Sequence, residues 1–254
     1  MLTVNGQHLP NGVLLPCNSY YRTLRSLRIQ LACGLPLQKR LWQSVVRHKI
    51  GNQADLLQAR GQPVAAQQLR NLQERVRPAD PDNFEAQAAQ KYFVALFGAD
   101  FRRDDARFYN AALNYAYALL RAAQARVLVA QGLQPACGIH HCNELNPFNL
   151  ADDMMEPWRP LLDAWVLQQF PQEEAQLTPQ HKGNLLNFLH QDVALSGLQG
   201  RCSVLAALEH GAQSLIRAMD ARGSTRVALH LPLLHAAPQQ AGLFEADQAP
   251  DDSS

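Results

Sequence analysis

The chain is poor in charge and in aromatic side chains: of 254 residues, 18% are Asp, Glu, Lys or Arg and 7% are Phe, Trp or Tyr. It has no apolar run approaching the roughly 18 residues that a membrane-crossing helix needs, so no membrane partner is expected. The first residues, MLTVNGQHLPNGVLLP, contain neither a basic n-region nor a continuous apolar h-region. That argues against a secretory leader and makes the cytoplasm the expected compartment. Cysteines are few, odd in number and irregularly spaced, at Cys17, Cys33, Cys137, Cys142 and Cys202, which argues against a disulfide framework. A formal net charge of +1 gives no bulk signature of nucleic-acid binding.

What charge there is, however, is unevenly placed. Residues 1–77 hold 11 Lys/Arg against 2 Asp/Glu, and residues 78–254 hold 12 against 20. A basic front half beside an acidic back half is compatible with phosphate contacts next to a metal-holding pocket, and equally with solvated helix faces. With 47% hydrophobic residues, the chain can bury the core of one large domain or two small ones.

Periodicity predicts a mainly α fold. Strand-like pieces at Leu2–Val4 and Val13–Leu15 flank the turn signals Asn5-Gly6 and Asn11-Gly12. From Asn18 onward Tyr21, Leu24, Leu27 and Leu31 recur at helical spacing, with Arg22, Arg25 and Arg28 on the other side. Pro36 opens a helix whose inward stripe is Leu37, Leu41, Val45 and Val46, with Lys39, Arg40, Arg47 and Lys49 outward. Short helices at about 52–59 and 63–76 follow, and Pro78-Ala79-Asp80-Pro81 marks the expected internal hinge. Asp82 caps a helix to Phe97, and Asp82-x-x-Glu85 reads locally as a capping box. A long helix over 106–131 ends at Gly132 and aligns Asn110, Asn114 and Tyr117 as a polar stripe that orders a neighbouring site or simply packs. Helices over 178–190 and 203–222, a short strand or extended arm at Thr225–Leu231 and a disordered acidic tail at 237–254 complete the expectation.

The densest chemistry lies in Gly138 to Asp163, GIHHCNELNPFNLADDMMEPWRPLLD. Nitrogen and oxygen donors without paired cysteines suit Mg²⁺ or Mn²⁺ better than structural zinc. A helix from Leu150, capped by Asn149, puts Asp152 and Asp153 on one face with Glu156, so a positive group is expected between these like charges. Pro157 and Pro160 cannot donate to the carbonyls of Asp153 and Glu156, which predicts a distortion there. Adjacent histidines diverge on regular structure, so only one of His140 and His141 is expected to ligate. Cys137 and Cys142 raise a structural-zinc alternative, but no second cysteine pair accompanies them.

The string GIHHxNxxNxFNLADDxMEPxRPxxD resembles the signature of the CRISPR adaptation integrase-nucleases, the family-one Cas proteins, in their type II (II-C-like) branch. DNFEAQAAQKYFVALFG at 82–98 and NAALNYAYALLRA at 110–122 agree in order and spacing. The resemblance implies an all-helical catalytic domain over 18–236, preceded at 1–17 by a remnant of an N-terminal β domain, as in a truncated chain. It implies a metal-dependent DNA endonuclease and integrase of spacer acquisition that joins a 3′-hydroxyl to repeat-end phosphates by transesterification. Its ligands for Mg²⁺ or Mn²⁺ would be Glu85, His141 and Glu156, the catalytic set. Asp153, Asn143, Asn146 and His140 would support them, with Asp153 the runner-up ligand. Arg22, Arg25, Lys39 and Arg40 are the candidate DNA contacts. Implied partners are prespacer and repeat DNA, a second copy in a homodimer, the small Cas family-two protein in a heterohexamer, and the type II RNA-guided effector. The competing reading is a catalytically impaired DNA-binding subunit of the same complex.

Overall fold

The computed structural model describes residues 2–4, 10–13, 23–220 and 228–234. The expected tail and the first three residues of the expected strand at Thr225–Leu231 therefore lie outside the described residues, as does Arg22, while residues 228–231 are described and are not strand. Helices dominate: α1 (Thr23–Leu31), α2 (Leu35–Ala59), α3 (Pro63–Arg75), α4 (Phe84–Phe97), α5 (Phe108–Ala130), α6 (Asn149–Met155), α7 (Arg159–Gln169), α8 (Pro179–Leu186) and α9 (Val204–Asp220). Strands β1 (Leu2–Val4) and β2 (Pro10–Val13) pair antiparallel. A second sheet orders β4 (Arg201–Ser203), β3 (Asp192–Leu195) and β5 (Pro232–Leu233), all antiparallel. No helix among the described residues is long and apolar enough to cross a membrane.

α2 is the central spar and packs against α3, α4, α7 and the 3₁₀ turn Glu156–Trp158. The break expected near residue 51 does not occur: α2 runs unbroken for 25 residues. Gly51 lies inside it, facing α3, where a Cβ would meet the far end of the Gln73 side chain, Nε2 at 2.6 Å. At the next residue, buried Asn52 donates to the carbonyls of Pro157 (2.8 Å) and Pro232 (2.9 Å) and accepts from Leu234 N–H (3.0 Å). This α2 amide thus ties β5 to the proline turn.

α1 corrects the inward face drawn from its leucines. Leu24 and Leu31 are exposed, and the buried residues are Ser26 and Gln30. Gln30 donates to the carbonyls of Gln134 and Cys137 and accepts from Gln134 N–H. A loop rich in unpaired backbone groups, rather than an apolar surface, thus selects which face turns in. Gly132 makes the approach possible: its φ is +78°, and a Cβ would lie 2.7 Å from Thr23 Cα.

The N-terminus of α4 also differs from the capping box. Asp80 accepts from Phe84 N–H (3.0 Å) and Glu85 N–H (2.9 Å), and Asn83 accepts from Ala86 N–H. Asp82 instead pairs with Arg77 at 2.9 Å. Because Asp80 and Asn83 satisfy the orphan amides, the Glu85 side chain is released from the cap.

The prolines of the carboxylate run produce the expected distortion, and its form is a 3₁₀ turn between α6 and α7. Glu156 N–H bonds the Asp153 carbonyl and Arg159 N–H bonds the Glu156 carbonyl. Tightening to i+3 bonds supplies the donors that Pro157 and Pro160 lack.

Towards the C-terminus, the expected helix over 178–190 is α8 followed by a 3₁₀ turn at Asn187–His190. The hairpin of β3 and β4 was not anticipated, and β5 lies beyond the expected strand.

Asp163 on α7 accepts from Tyr92 Oη of α4 (2.7 Å) and Tyr117 Oη of α5 (2.5 Å). Burial pushes its carboxyl up to about 6, against the pull of the two phenols and of Arg103 and Arg159. A carboxyl raised above its unfolded value of 3.8 contributes stability below that value and loses it as pH rises through about 6. Asp163→Asn removes this loss. Between pH 4 and 6.5, wild type should decline relative to the variant by on the order of 3 kcal/mol in urea denaturation.

Two glycines give opposite expectations. Gly132→Ala should cost about 1–3 kcal/mol through its positive φ and the Thr23 backbone. Gly183→Ala, inside α8 with open space around it, should stabilise by about 0.5–1 kcal/mol. Thermal unfolding of the two variants checks both signs.

Candidate active site

The loop from Gly138 into α6 is folded around one carboxylate. Asp153, fully buried, accepts from the backbone N–H of Ile139 (2.7 Å), His140 (3.0 Å) and His141 (3.2 Å). It also accepts from His141 Nδ1 at 2.6 Å. A Cβ on Gly138 would collide with the His141 carbonyl at 2.2 Å and with Asp153 Oδ2 at 2.8 Å, so only glycine lets the loop close this tightly. The bond to Asp153 raises the His141 pKa, against burial, which lowers it. With Nδ1–H committed to that carboxylate, Nε2 carries the lone pair.

The two histidines do diverge. His140 stacks flat on Trp42 of α2, with centroids 4.1 Å apart and planes 1° from parallel, and His141 meets the same indole edge-on at 5.7 Å. Burial lowers the His140 pKa. Asn143 and Asn146 build the turn. Asn143 Oδ1 accepts from Leu145 N–H, and Asn146 Oδ1 accepts from Phe148 N–H and from Arg121 at 2.8 Å. Asn149 is the first residue of α6 rather than its cap; its amide donates to the carbonyls of Ala136 and Asn143.

Glu156 and Glu85 come together from opposite sides of one ammonium. Lys49 Nζ of α2 contacts Glu85 Oε1 and lies 2.5 Å from Glu156 Oε2. Arg159 Nε faces the other Glu156 oxygen at 2.9 Å. Burial would raise the Glu156 carboxyl, but Lys49 and Arg159 outweigh it and hold the pKa below the usual value. Burial likewise opposes the charge on Lys49, and the two glutamates more than restore it. Asp152 pairs with Arg121 at 2.7 Å. The positive groups expected among these acids are thus Lys49, Arg159 and Arg121.

Lys49 corrects the sequence reading, which turned it outward. It is 6% exposed. The signal was present, since Trp42, Val46, Lys49 and Gln53 follow one helical stripe, and a lysine on it needs buried acids. Arg159 was also missed, although it stands three residues after Glu156 and shares its face.

Glu156 borders two cavities. One, of about 370 Å³, is also faced by His141, Asn114, Tyr117, Arg121 and Asp152. The other, of about 280 Å³, takes in Lys49, Glu85, Arg103 and Asp163. Arg103 is held there by Asn110 and by Asn114 Oδ1 at 2.7 Å. Asn110 is buried and Asn114 exposed, so the polar stripe of α5 serves an arginine at the cavity wall.

Among the described residues, no three His, Cys, Asp or Glu side chains are close enough to form a finished cation site. The donors nevertheless fit a hard divalent ion in kind: two carboxylates already share one cation, and an imidazole with a free Nε2 faces the cavity beside one of them. Of the candidate DNA contacts, Arg25 is exposed and paired with Asp220 at 2.9 Å. Lys39 is exposed and Arg40 half-buried. Cys137 and Cys142 are free thiols.

Comparison with known proteins follows the same residues. The family model described as CRISPR associated protein Cas1 matches residues 3–192. A CRISPR-associated endonuclease Cas1 of Neisseria meningitidis serogroup C (strain 8013) is 48% identical over 211 residues, 82% of this chain and 69% of that protein. The CRISPR-associated endonuclease Cas1 1 of Thermus thermophilus is 34% identical over 176 residues, 61% of this chain and 51% of its own length. Solved structures share the fold at low identity. Part of a Cas6-RT-Cas1–Cas2 complex superimposes with a TM-score of 0.70 at 18% identity, covering 89% of this chain and 79% of that one. A casposase bound to integration product gives 0.63 at 18% identity, covering 85% and 74%. Since the matched span takes in α4 with Glu85, the histidine loop and the turn that carries Glu156, the chain belongs to the Cas1 family of CRISPR associated proteins.

Proposed function

We propose that this protein is a divalent-metal-dependent DNA endonuclease and integrase of spacer acquisition, of the type II (II-C-like) branch. One observation carries the reading: Glu85 and Glu156, from separate helices, are held at one buried cation beside a cavity that His141 enters. Glu85, His141 and Glu156 would hold Mg²⁺ or Mn²⁺. Bound there, the ion would supply Lewis-acid polarisation of a phosphoryl oxygen and stabilise the departing oxyanion.

The chain's own residues set the rest. Asp153 fixes the tautomer of His141, so that Nε2 presents its lone pair to the cavity. Arg121 and Arg159 stand at the cavity where a DNA phosphate would approach, and each is held by a carboxylate, Asp152 and Glu156. Held guanidiniums lose little freedom when they bind a phosphate oxygen, which favours in-line placement of an attacking 3′-hydroxyl or water. Asn143 and Asn146 shape the loop, and His140 anchors it to Trp42. Lys39, Arg40 and Arg25, with Arg22, are read as outlying phosphate contacts.

The family match supports the DNA-processing role. The Neisseria relative is called an endonuclease, one structural neighbour is bound to an integration product, and another stands in a complex with Cas2. From these we read DNA and the family-two protein as this chain's partners; a second copy and the RNA-guided effector rest on the sequence resemblance alone.

Purified protein supplied with Mn²⁺ and a branched half-site DNA tests the proposal. Cutting or strand joining is expected, reduced by roughly 100-fold or more in Glu156→Ala or His141→Ala while DNA binding persists. Binding by wild type with no turnover would instead favour the impaired assembly subunit. Asp153→Asn should cost about 10–100-fold in activity and in Mn²⁺ affinity, since the imidazole loses its charged acceptor. Isothermal titration of Mn²⁺ into the variant measures the second quantity directly.

A further inference from the structure

Lys49 holds the two glutamates but takes no part in the chemistry proposed above, although it is among the most enclosed charges of the described residues. Its side chain is 7% exposed, as is that of Glu156. Both oxygens of Glu156 and one of Glu85 are already paired with protein cations, Lys49 and Arg159. The ammonium therefore touches an oxygen of each acid that a divalent ion would need. An ammonium offers three donors and a single fixed charge but cannot accept a lone pair, so it can hold two carboxylates together without doing a metal's work. Two positive centres on the same pair of acids repel strongly where water is excluded.

We propose that Lys49 is the resident counter-cation of the acidic pair. It assembles Glu85 and Glu156 in the metal-free protein, and a divalent ion enters only by displacing its ammonium from at least one of them. The inference rests on the assignment of those glutamates as metal ligands. It has a consequence for order of binding. With two acids balanced by Lys49 and Arg159, an arriving divalent ion leaves an excess of positive charge, which a DNA phosphate in the adjoining cavity offsets. Metal and DNA therefore bind with mutual reinforcement, and the free protein holds its ion weakly.

The test uses the full chain, Mn²⁺ as the probe, and no catalytic readout. Mn²⁺ binding is followed by titration calorimetry and by the electron paramagnetic resonance of the free ion, and thermal unfolding is recorded with and without saturating Mn²⁺. Lys49→Met keeps the buried stem and removes the charge. It should melt below wild type without metal, bind Mn²⁺ about tenfold tighter or more, and recover more of its melting temperature on adding the ion than wild type gains. Lys49→Arg, which keeps the charge, should bind Mn²⁺ no tighter than wild type. Should the methionine variant fail to fold, Lys49→Gln, which keeps a donor between the acids, carries the same expectation. Mn²⁺ affinity unchanged or weaker in the neutral variants overturns the proposal, because the lysine would then be scaffold that organises the ligands. Mn²⁺ binding that survives Glu156→Gln undiminished overturns the ligand assignment itself, and the proposal with it.

Discussion

A buried carboxylate needs a positive partner, and the site is arranged around that requirement. Glu85 and Glu156 reach the interior from helices far apart in sequence, and one lysine of α2 answers both. Taking away one member of such a set leaves an uncompensated charge in a poorly screened place, which costs far more than the set contributes when complete. α2 therefore does more than fill the core. It carries the cation that fixes α4 against the 3₁₀ turn, and it carries Trp42, on which the histidine loop lies.

A second carboxylate solves the same problem by another route. Asp153 meets backbone amides and an imidazole rather than a side-chain cation. Neighbouring acids in one sequence run are thereby separated in role by what their backbone geometry offers them. Asp163 differs again, facing two phenols under heavy burial, and is the acid whose pKa is driven upward.

Much of this was legible in the residues. Helical stripes located most helices, the proline pair announced a distortion after the acids, and the donor density of 138–163 marked the site. What escaped depended on tertiary partners. Lys49 was turned outward because lysine is ordinarily a surface residue, although its position follows Trp42 and Val46 on the buried stripe. The inward face of α1 was drawn through leucines, whereas the groups that needed satisfying were carbonyls of the loop at 134–137. Asp82 and Glu85 matched a capping box, but Asp80, displaced by positive-φ turns at Ala79 and Asp80, reached the amides first. The β3–β4 hairpin was missed because strands of four and three residues leave too little alternation to read.

Asn52 links the catalytic turn to the far end of the described chain. A single amide in the middle of α2 clasps Pro157 on one side and Pro232 with Leu234 on the other. The C-terminal strand is therefore a buttress for the residue next to Glu156. Loosening that strand would leave the Asn52 amide, a donor to the Pro157 carbonyl, without its other anchors, so a disturbance some 180 residues away in sequence from Asn52 can slacken the acid without touching anything in the cavity.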